Sequence, residues 1–131
     1  EIEDLDKTDA NKAVVQGFVD DVLMGGKVDK VTDYISTEQY DQHNPEVKDG
    51  LAGFGEHLQE VMKSGQAAKY VKVHHLLGQG NFVVIYSEVK QGDDDWAFFD
   101  LFRLKAGKIV EHWDVQEKIG PKETWNNSGK F

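Results

Sequence analysis

Three polar residues near the carboxyl end of the chain have the types and spacing needed for acid/base chemistry. His112 and Asp114 stand two residues apart in one β-rich run, and Asp100 stands in the run before it. Side chains alternate between the two faces of a strand, so His112 and Asp114 share a face if their run is a strand. A carboxyl group in an apolar cavity has a raised pKa, because a low dielectric disfavours the charged form, and it can exchange a proton near neutral pH.

The hairpin between the two runs decides whether these residues meet. We predict a three-residue loop over 105–107, with its glycine in the left-handed conformation. That register places Asp100 opposite His112 and Phe98 opposite Asp114, and it gathers the polar groups on one aromatic surface.

Two other interpretations remain open at this point. A loop of two or four residues would place Asp100 opposite Trp113 and separate the group. Alternatively, His112 and Asp114 form the solvated side of an edge strand and have no chemical role.

Further candidates are histidine and aromatic residues. His43 either donates to a ligand at the rim of the pocket or caps the turn at Asn44 and Pro45. The hydroxyl of Tyr86 either faces the cavity or belongs to ordinary strand packing. The remaining aromatic residues are predicted to line the core and the pocket wall: Trp96, Phe98, Phe102 and Trp113.

No metal or cofactor is expected. The chain has no cysteine, which excludes thiolate nucleophiles, disulfides and cysteine-ligated metals. His74 and His75 are adjacent in a predicted strand and point to opposite faces, so they cannot chelate one ion together. There is also no glycine-rich phosphate loop and no nucleophile-elbow serine.

Hydrophobic periodicity divides the chain into helices followed by strands. Apolar residues recur at helical spacing in the first half, and the pattern becomes strand-like from Lys69 onward. One domain over 9–118 is therefore expected, with a flexible segment at 1–8 and a tail at 119–131. The first predicted helix is capped by Asp9 or Asn11 and runs to about Met24, and the next two are Val28–Tyr34 and Gly50–Lys63. The predicted strands are Tyr70–Leu77, Phe82–Lys90, Trp96–Leu104 and Lys108–Glu117, with a short extended piece at Thr37–His43.

Charge excludes several classes of partner. Of the 131 residues, 15 are Lys or Arg and 24 are Asp or Glu, which gives a net charge of −9. Nucleic acid and anionic membranes both need a basic surface, so neither is expected as a partner. The chain begins at Glu1 rather than at methionine, so we expect that an upstream segment was removed or never included. The compartment of the predicted soluble domain stays unknown from the sequence, with the cytoplasm and export after removal of that segment as the two alternatives.

Three segments carry a resemblance to a known family. The hairpin DLFRLKAGKIVEHWDV (100–115), the run QHNP (42–45) and the run DGLAGF (49–54) together resemble the SnoaL-like polyketide cyclases of the nuclear transport factor 2-like superfamily. The resemblance implies an α+β cone, in which three N-terminal helices pack on a curved, mainly antiparallel sheet around one small-molecule pocket.

The resemblance also implies roles for the candidate residues. Asp114 matches the carboxylate that acts as general base, and Asp100 matches the acidic group on the oxyanion side, assisted by His112 or His43. The expected activity is cofactor-free isomerisation, cyclisation or aldol-type chemistry next to a carbonyl. The alternative is a non-catalytic module of the same fold that binds a small ligand or a protein.

A homodimer is implied by the same resemblance and has partial support in the sequence. In the run Trp96–Leu104 both faces are apolar, so Phe99 and Leu101 need cover on the side away from the pocket. A second subunit would supply that cover. The alternative cover is the tail, through Trp125 and Phe131.

Overall fold

The computed structural model describes residues 1–131 and confirms the predicted class, three helices packed on a mainly antiparallel sheet. Eight elements make up the domain: α1 Thr8–Phe18, α2 Val31–Tyr34, β1 Asp41–Gln42, α3 Gly50–Ser64, β2 Lys69–Gln79, β3 Phe82–Gln91, β4 Asp94–Lys105 and β5 Lys108–Lys118. No helix of the chain combines the length and apolar character needed to cross a membrane.

The helices begin and end where local chemistry requires. α1 runs on into a wider π-helical segment, Val19–Met24, which completes the predicted first helix. The Asp49 carboxylate accepts a hydrogen bond from the backbone N–H of Gly50 and caps α3. α3 stops at Gly65, whose φ of 73° suits glycine. Met62, near the end of α3, is 63% exposed.

The five strands form one open sheet in the order β1-β5-β4-β3-β2. β2 to β5 are antiparallel neighbours, whereas the two-residue β1 pairs in parallel with β5. Because β1 and β2 are the two edges and do not pair with each other, the sheet is not closed into a barrel.

The core lies between α1 and one face of the sheet, which we call the inner face. Val15 and Phe18 from α1 pack with Ile85 and Phe102 from the sheet. Burial of an aromatic side chain such as Phe18 contributes about 1.5–3 kcal/mol. The helices therefore cover the inner face and place it in an apolar setting.

The opposite side of the sheet, the outer face, is only partly covered. Phe99 and Val115 lie opposite each other on β4 and β5 and are 51% and 70% exposed. Phe131 from the tail stacks on His74 and lies against Tyr86. The tail thus covers part of the outer face and leaves the Phe99–Val115 pair open.

The segment before α1 contacts the turn between β2 and β3. The backbone N–H of Asn81 donates to the carbonyl of Glu3, and the N–H of Glu3 donates to Oδ1 of Asn81. The Thr8 hydroxyl accepts a hydrogen bond from the backbone of Gly80. The flexibility and the domain bounds expected from the sequence stay predictions.

Candidate functional site

The inner face holds one concentration of polar side chains, which we call the polar cluster: Asp100, His112 and Asp114. Asp100 is 3% exposed and His112 is 8% exposed, while Asp114 is half-buried. One potential ligand atom from each of the three lies within 4.8 Å of the others. The sequence-based grouping of these residues on one surface therefore matches the structure.

The register that brings them together differs from the predicted one. The turn has two residues, Ala106 and Gly107, both with positive φ (51° and 77°), as in a type I′ turn. Asp100 lies opposite Asp114, not opposite His112, and His112 lies opposite Phe102. The predicted three-residue loop and its pairings are therefore wrong.

A β-bulge explains why the polar cluster survives a two-residue turn. Leu104 pairs with Ile109 and Arg103 pairs with Glu111, so β5 contains one extra residue, Val110, at this step. One extra residue reverses which side chains face inward from that point on. The bulge thus returns the polar cluster to the inner face.

His112 and Asp100 form a buried pair. Nε2 of His112 lies 2.8 Å from Oδ1 of Asp100, and the Tyr70 hydroxyl donates to Oδ2 of Asp100 over 2.8 Å. Nδ1 of His112 lies 2.9 Å from Oε1 of Gln42, the residue beside it in the parallel β1–β5 pairing. Every polar atom of the two side chains therefore has a partner.

The hydrogen positions in this pair follow from its neighbours. A backbone N–H can only donate, so the Gln42 atom that the N–H of Asn44 meets at 3.0 Å is the amide oxygen. Because the same oxygen faces Nδ1 of His112, that nitrogen carries a hydrogen. The contact from Nε2 to Asp100 requires a second hydrogen, so the pair has no net charge, which suits its burial.

Asp114 is held through one oxygen. Its Oδ2 accepts hydrogen bonds from Nδ2 of Asn44 over 2.9 Å and from Nε2 of Gln116 over 3.2 Å. No protein group donates to Oδ1. One carboxylate oxygen is thus anchored and the other is free to take a proton.

Two buried tyrosines complete the site, and the sequence analysis missed both. Burial, followed by the negative charge of Asp100 and the hydrogen bond to it, raises the pKa of Tyr70 well above its usual value. Burial, with the charge of Asp100 next in effect, also raises the pKa of Tyr40. Gln42 donates to the Tyr40 hydroxyl over 3.3 Å, so the hydroxyl hydrogen of Tyr40 is available for another acceptor.

The site's support comes from the loop between β1 and α3. The carboxylate of Asp49 accepts hydrogen bonds from the backbone of Gln42 over 2.8 Å and of Gly50 over 2.9 Å. These two hydrogen bonds, in that order of effect, lower the pKa of Asp49. One charged cap therefore positions both α3 and the strand that carries Gln42.

Three sequence-predicted candidates lie on the outer face instead. His43 stacks on Trp113 with 4.8 Å between ring centres and bonds to Glu111 over 2.7 Å. Tyr86 donates to the carbonyl of Lys130 in the tail. Strand alternation turns these three residues away from the polar cluster, and their place in a ligand pocket stays a prediction.

The other aromatic candidates lie on the inner face. Phe98 is perpendicular to both Tyr70 and Trp96, and Phe102 packs 5.1 Å from the ring of His112. They are the apolar wall of the polar cluster.

The family model for the SnoaL-like domain matches residues 15–112. The chain belongs to the SnoaL-like domain family. No curated protein sequence matches it significantly.

Solved structures similar to this SnoaL-like domain share its fold at low sequence identity. A provisional ketosteroid isomerase from Kribbella flavida DSM 17836 has a TM-score of 0.71 at 14% identity, covering 88% of this chain and 83% of its own. A provisional polyketide cyclase from Acidithiobacillus ferrooxidans has a TM-score of 0.67 at 14% identity, covering 82% and 88%. A Xanthomonas campestris protein of unknown function with a cystatin-like fold has a TM-score of 0.67 at 20% identity, covering 81% and 89%.

The polar cluster is also the set of donors in this SnoaL-like domain that could meet at a metal ion. One imidazole and two carboxylates suit a divalent transition metal. In the structure, however, Nε2 of His112 and Oδ1 of Asp100 already share a hydrogen, which a metal would have to displace.

Two surface depressions lie away from the polar cluster. One is bounded by Thr32, Ser36 and Lys105 near the turn between β4 and β5. The other is bounded by Asp93, Lys118 and the start of the tail. Neither of these two depressions includes a residue of the polar cluster.

Proposed function

We propose that this SnoaL-like domain is a small-molecule enzyme that performs cofactor-free acid/base chemistry next to a carbonyl group. The observation that carries the proposal is Asp114, with one anchored and one free oxygen, beside a buried pair that already holds a transferable proton. Isomerisation and aldol-type cyclisation both begin with the removal of a proton from carbon.

Asp114 is the proposed base. Because the Asp100–His112 pair has no net charge, Asp114 is the one carboxylate of the polar cluster whose negative charge is not balanced by a partner. Its side chain is half-buried beside the apolar wall, and no protein donor occupies its second oxygen.

Tyr40 is the proposed donor to the oxygen on which negative charge develops. Its hydroxyl accepts from Gln42, whose amide oxygen faces the protonated Nδ1 of His112. Hydrogen bonds in such a chain polarise one another, so the positive end at His112 strengthens donation by Tyr40. Donors fixed in advance at such an oxygen are a large source of rate acceleration.

Proton exchange tests this function before a natural substrate is known. Wild-type protein would be incubated in D₂O with a panel of aromatic and steroid ketones, and exchange at the carbon next to the carbonyl would be followed by NMR. Asp114→Asn should slow exchange by about 10²–10⁴-fold, the usual contribution of a general base. Asp93→Asn, in the turn between β3 and β4, is the matched control and should exchange at the wild-type rate.

The outcomes separate catalysis from binding. Saturable binding of a ketone without exchange in the wild-type protein would identify a binding module instead. Equal exchange rates for wild type and Asp114→Asn would exclude Asp114 as the base.

We also propose that the SnoaL-like domain is a homodimer formed through the outer face. The Phe99–Val115 pair on β4 and β5 stays exposed although the tail residue Phe131 packs on His74 and against Tyr86. Burial of such a pair against a second copy would remove apolar surface from water and supply the cover that the tail does not.

A further inference from the structure

One side chain connects His112 to Tyr40, although it is assigned no contact with the reacting molecule. Oε1 of Gln42 lies 2.9 Å from Nδ1 of His112, and Nε2 of Gln42 donates to the Tyr40 hydroxyl over 3.3 Å. The amide thus presents its acceptor to the buried pair and its donor to the tyrosine. Gln42 is the one residue that is hydrogen-bonded to both groups.

The backbone fixes which end of this amide faces His112. The N–H of Asn44 donates to Oε1 of Gln42 over 3.0 Å, and an N–H group cannot accept, so the amide oxygen and nitrogen cannot exchange places. The N–H of Gln42 itself donates to the Asp49 carboxylate over 2.8 Å. The parallel pairing of β1 and β5 sets Gln42 beside His112. The position and the polarity of the amide are therefore both determined by the fold.

A fixed acceptor at Nδ1 affects how firmly His112 holds its second hydrogen. Nε2 of His112 faces the Asp100 carboxylate, which also accepts from the Tyr70 hydroxyl. Without Gln42, a hydrogen on Nδ1 would have no acceptor, and water has little access because His112 is 8% exposed. The imidazole would then release that hydrogen more readily and leave Asp100 as an unbalanced buried charge.

Glutamine is the residue type that meets both demands at position 42. A glutamate would present oxygens to His112 and to Tyr40, so the Tyr40 hydroxyl would donate its hydrogen to the glutamate. An apolar residue of similar length would offer neither an acceptor to His112 nor a donor to Tyr40. The amide satisfies the imidazole and leaves the tyrosine hydrogen available.

We propose that Gln42 is a positioning residue, which keeps hydrogens on both ring nitrogens of His112 and leaves the Tyr40 hydroxyl free to donate to the substrate. The inference rests on the proposed function, because positioning of these groups matters only if the polar cluster performs the chemistry. Gln42 acts through its two neighbours and touches no reacting atom.

Two-bond ¹H–¹⁵N NMR of the histidine side chains tests the contact without a substrate. The chain has five histidines, and the signals of His112 are those that His112→Gln lacks. At pH 7 both ring nitrogens of wild-type His112 should carry hydrogen. Gln42→Met keeps the length of the side chain but removes the amide. Its His112 should release the Nδ1 hydrogen at a pH about one unit lower than wild type, or lower still, the effect of one hydrogen bond to a charged donor.

Further variants separate this effect from a general disturbance of the loop. Gln42→Glu supplies a charged acceptor, so Nδ1 should keep its hydrogen to a higher pH than in wild type. Gln42→Leu should behave like Gln42→Met and takes its place if circular dichroism shows that Gln42→Met does not fold. Gln39→Met is the matched control and should give the wild-type spectrum, because Gln39 is exposed and donates to Asp41.

Proton exchange supplies the functional readout. Gln42→Met should lower the maximal exchange rate by about tenfold or more and leave the half-saturating ketone concentration nearly unchanged, because it displaces a donor without removing a contact to the ketone. Gln42→Glu should also be slow, although its His112 keeps both hydrogens, because the Tyr40 hydroxyl then donates to the new carboxylate.

The proposal is overturned if Nδ1 of wild-type His112 carries no hydrogen at pH 7, or if Gln42→Met and Gln42→Glu both release it at the wild-type pH. A wild-type exchange rate in Gln42→Met would also overturn it. Failure of the proposed function is seen separately, as absent exchange in the wild type or unchanged exchange in Asp114→Asn. In that case the NMR result still decides whether Gln42 controls the hydrogens of His112.

Discussion

Replacing Tyr70 with phenylalanine removes one hydroxyl from the buried side of the sheet and leaves the ring in place. In the native structure this hydroxyl donates to Oδ2 of Asp100 over 2.8 Å. Because Asp100 is 3% exposed, water has little access to replace the lost donor. The variant therefore leaves a buried carboxylate oxygen without its partner.

The expected cost can be worked out from this geometry. Hydrogen bonds to charged groups contribute about 1.5–3 kcal/mol, so we expect Tyr70→Phe to lower the free energy of unfolding by about 2 kcal/mol. An unfolding entropy of about 2.1 cal/mol/K per residue gives about 0.28 kcal/mol/K for 131 residues. The corresponding fall in Tm is about 7 °C.

Urea unfolding followed by circular dichroism is the assay, with Tyr86→Phe as the matched control. Tyr86 loses the same atom, but its hydroxyl meets the carbonyl of Lys130 on the outer face, so we expect a change below about 0.5 kcal/mol. In an Asp100→Asn background, Tyr70→Phe should cost about 1 kcal/mol, because the acceptor is then neutral. Equal effects of Tyr70→Phe and Tyr86→Phe would refute the conclusion that Asp100 is a buried charged acceptor.

Three further predictions concern the loop before α3, assembly and metals. Asp49→Ala should lower Tm at pH 7, because it removes the cap of α3 and the anchor of Gln42. The folded-state pKa of Asp49 is lowered, so the stability that its carboxylate contributes is present above about pH 4 and is lost below it. The difference in Tm between wild type and the variant should therefore shrink towards pH 3. Phe99→Lys should convert a dimer into monomers in sedimentation velocity at micromolar concentration while proton exchange persists, and a wild-type monomer would contradict the proposed interface. Dialysis against a chelator should leave the exchange rate unchanged, and restoration of a lost rate by one divalent metal would show that the polar cluster holds an ion.

The strands were predictable because glycine and small polar residues mark their ends. β3 begins at Phe82 as predicted and ends one residue later than expected, at Gln91. The period-two spacing of Phe98, Asp100 and Phe102 also placed these residues on one face of β4 from the sequence. Element type and bounds depend on neighbours along the chain, which the sequence displays directly.

The bulge at Val110 is less apparent in the sequence than the bounds of the strands. Ile109 and Val110 are consecutive and both buried, which strict alternation does not allow. Two adjacent aliphatic residues after a glycine turn were the available signal for an extra residue in β5. Without it, turn length alone gave the wrong pairings but the right face.

The role of Gln42 was not predicted from the sequence, because its contact with His112 joins distant parts of the chain. Gln42 reaches His112 only because β1 pairs in parallel with β5, across 70 positions in sequence. Once that pairing is known, alternation directs Gln42 inward and His43 outward. The choice between these neighbours could not be made from the sequence, since the parallel pairing was not predicted.

The position of β1 in the sheet also has a consequence for how the protein folds. Its one neighbour is β5, the last strand to be synthesised, and the isolated bridge from Ile35 to Ile109 makes the same long connection. During translation, the hairpins of β2, β3 and β4 can form while the segment with Gln42 still has no strand to join. Closure of so long a loop is slow compared with hairpin formation, so the polar cluster is assembled at the end of folding. A chain stopped before β5 would have most of the sheet and none of the proposed chemistry.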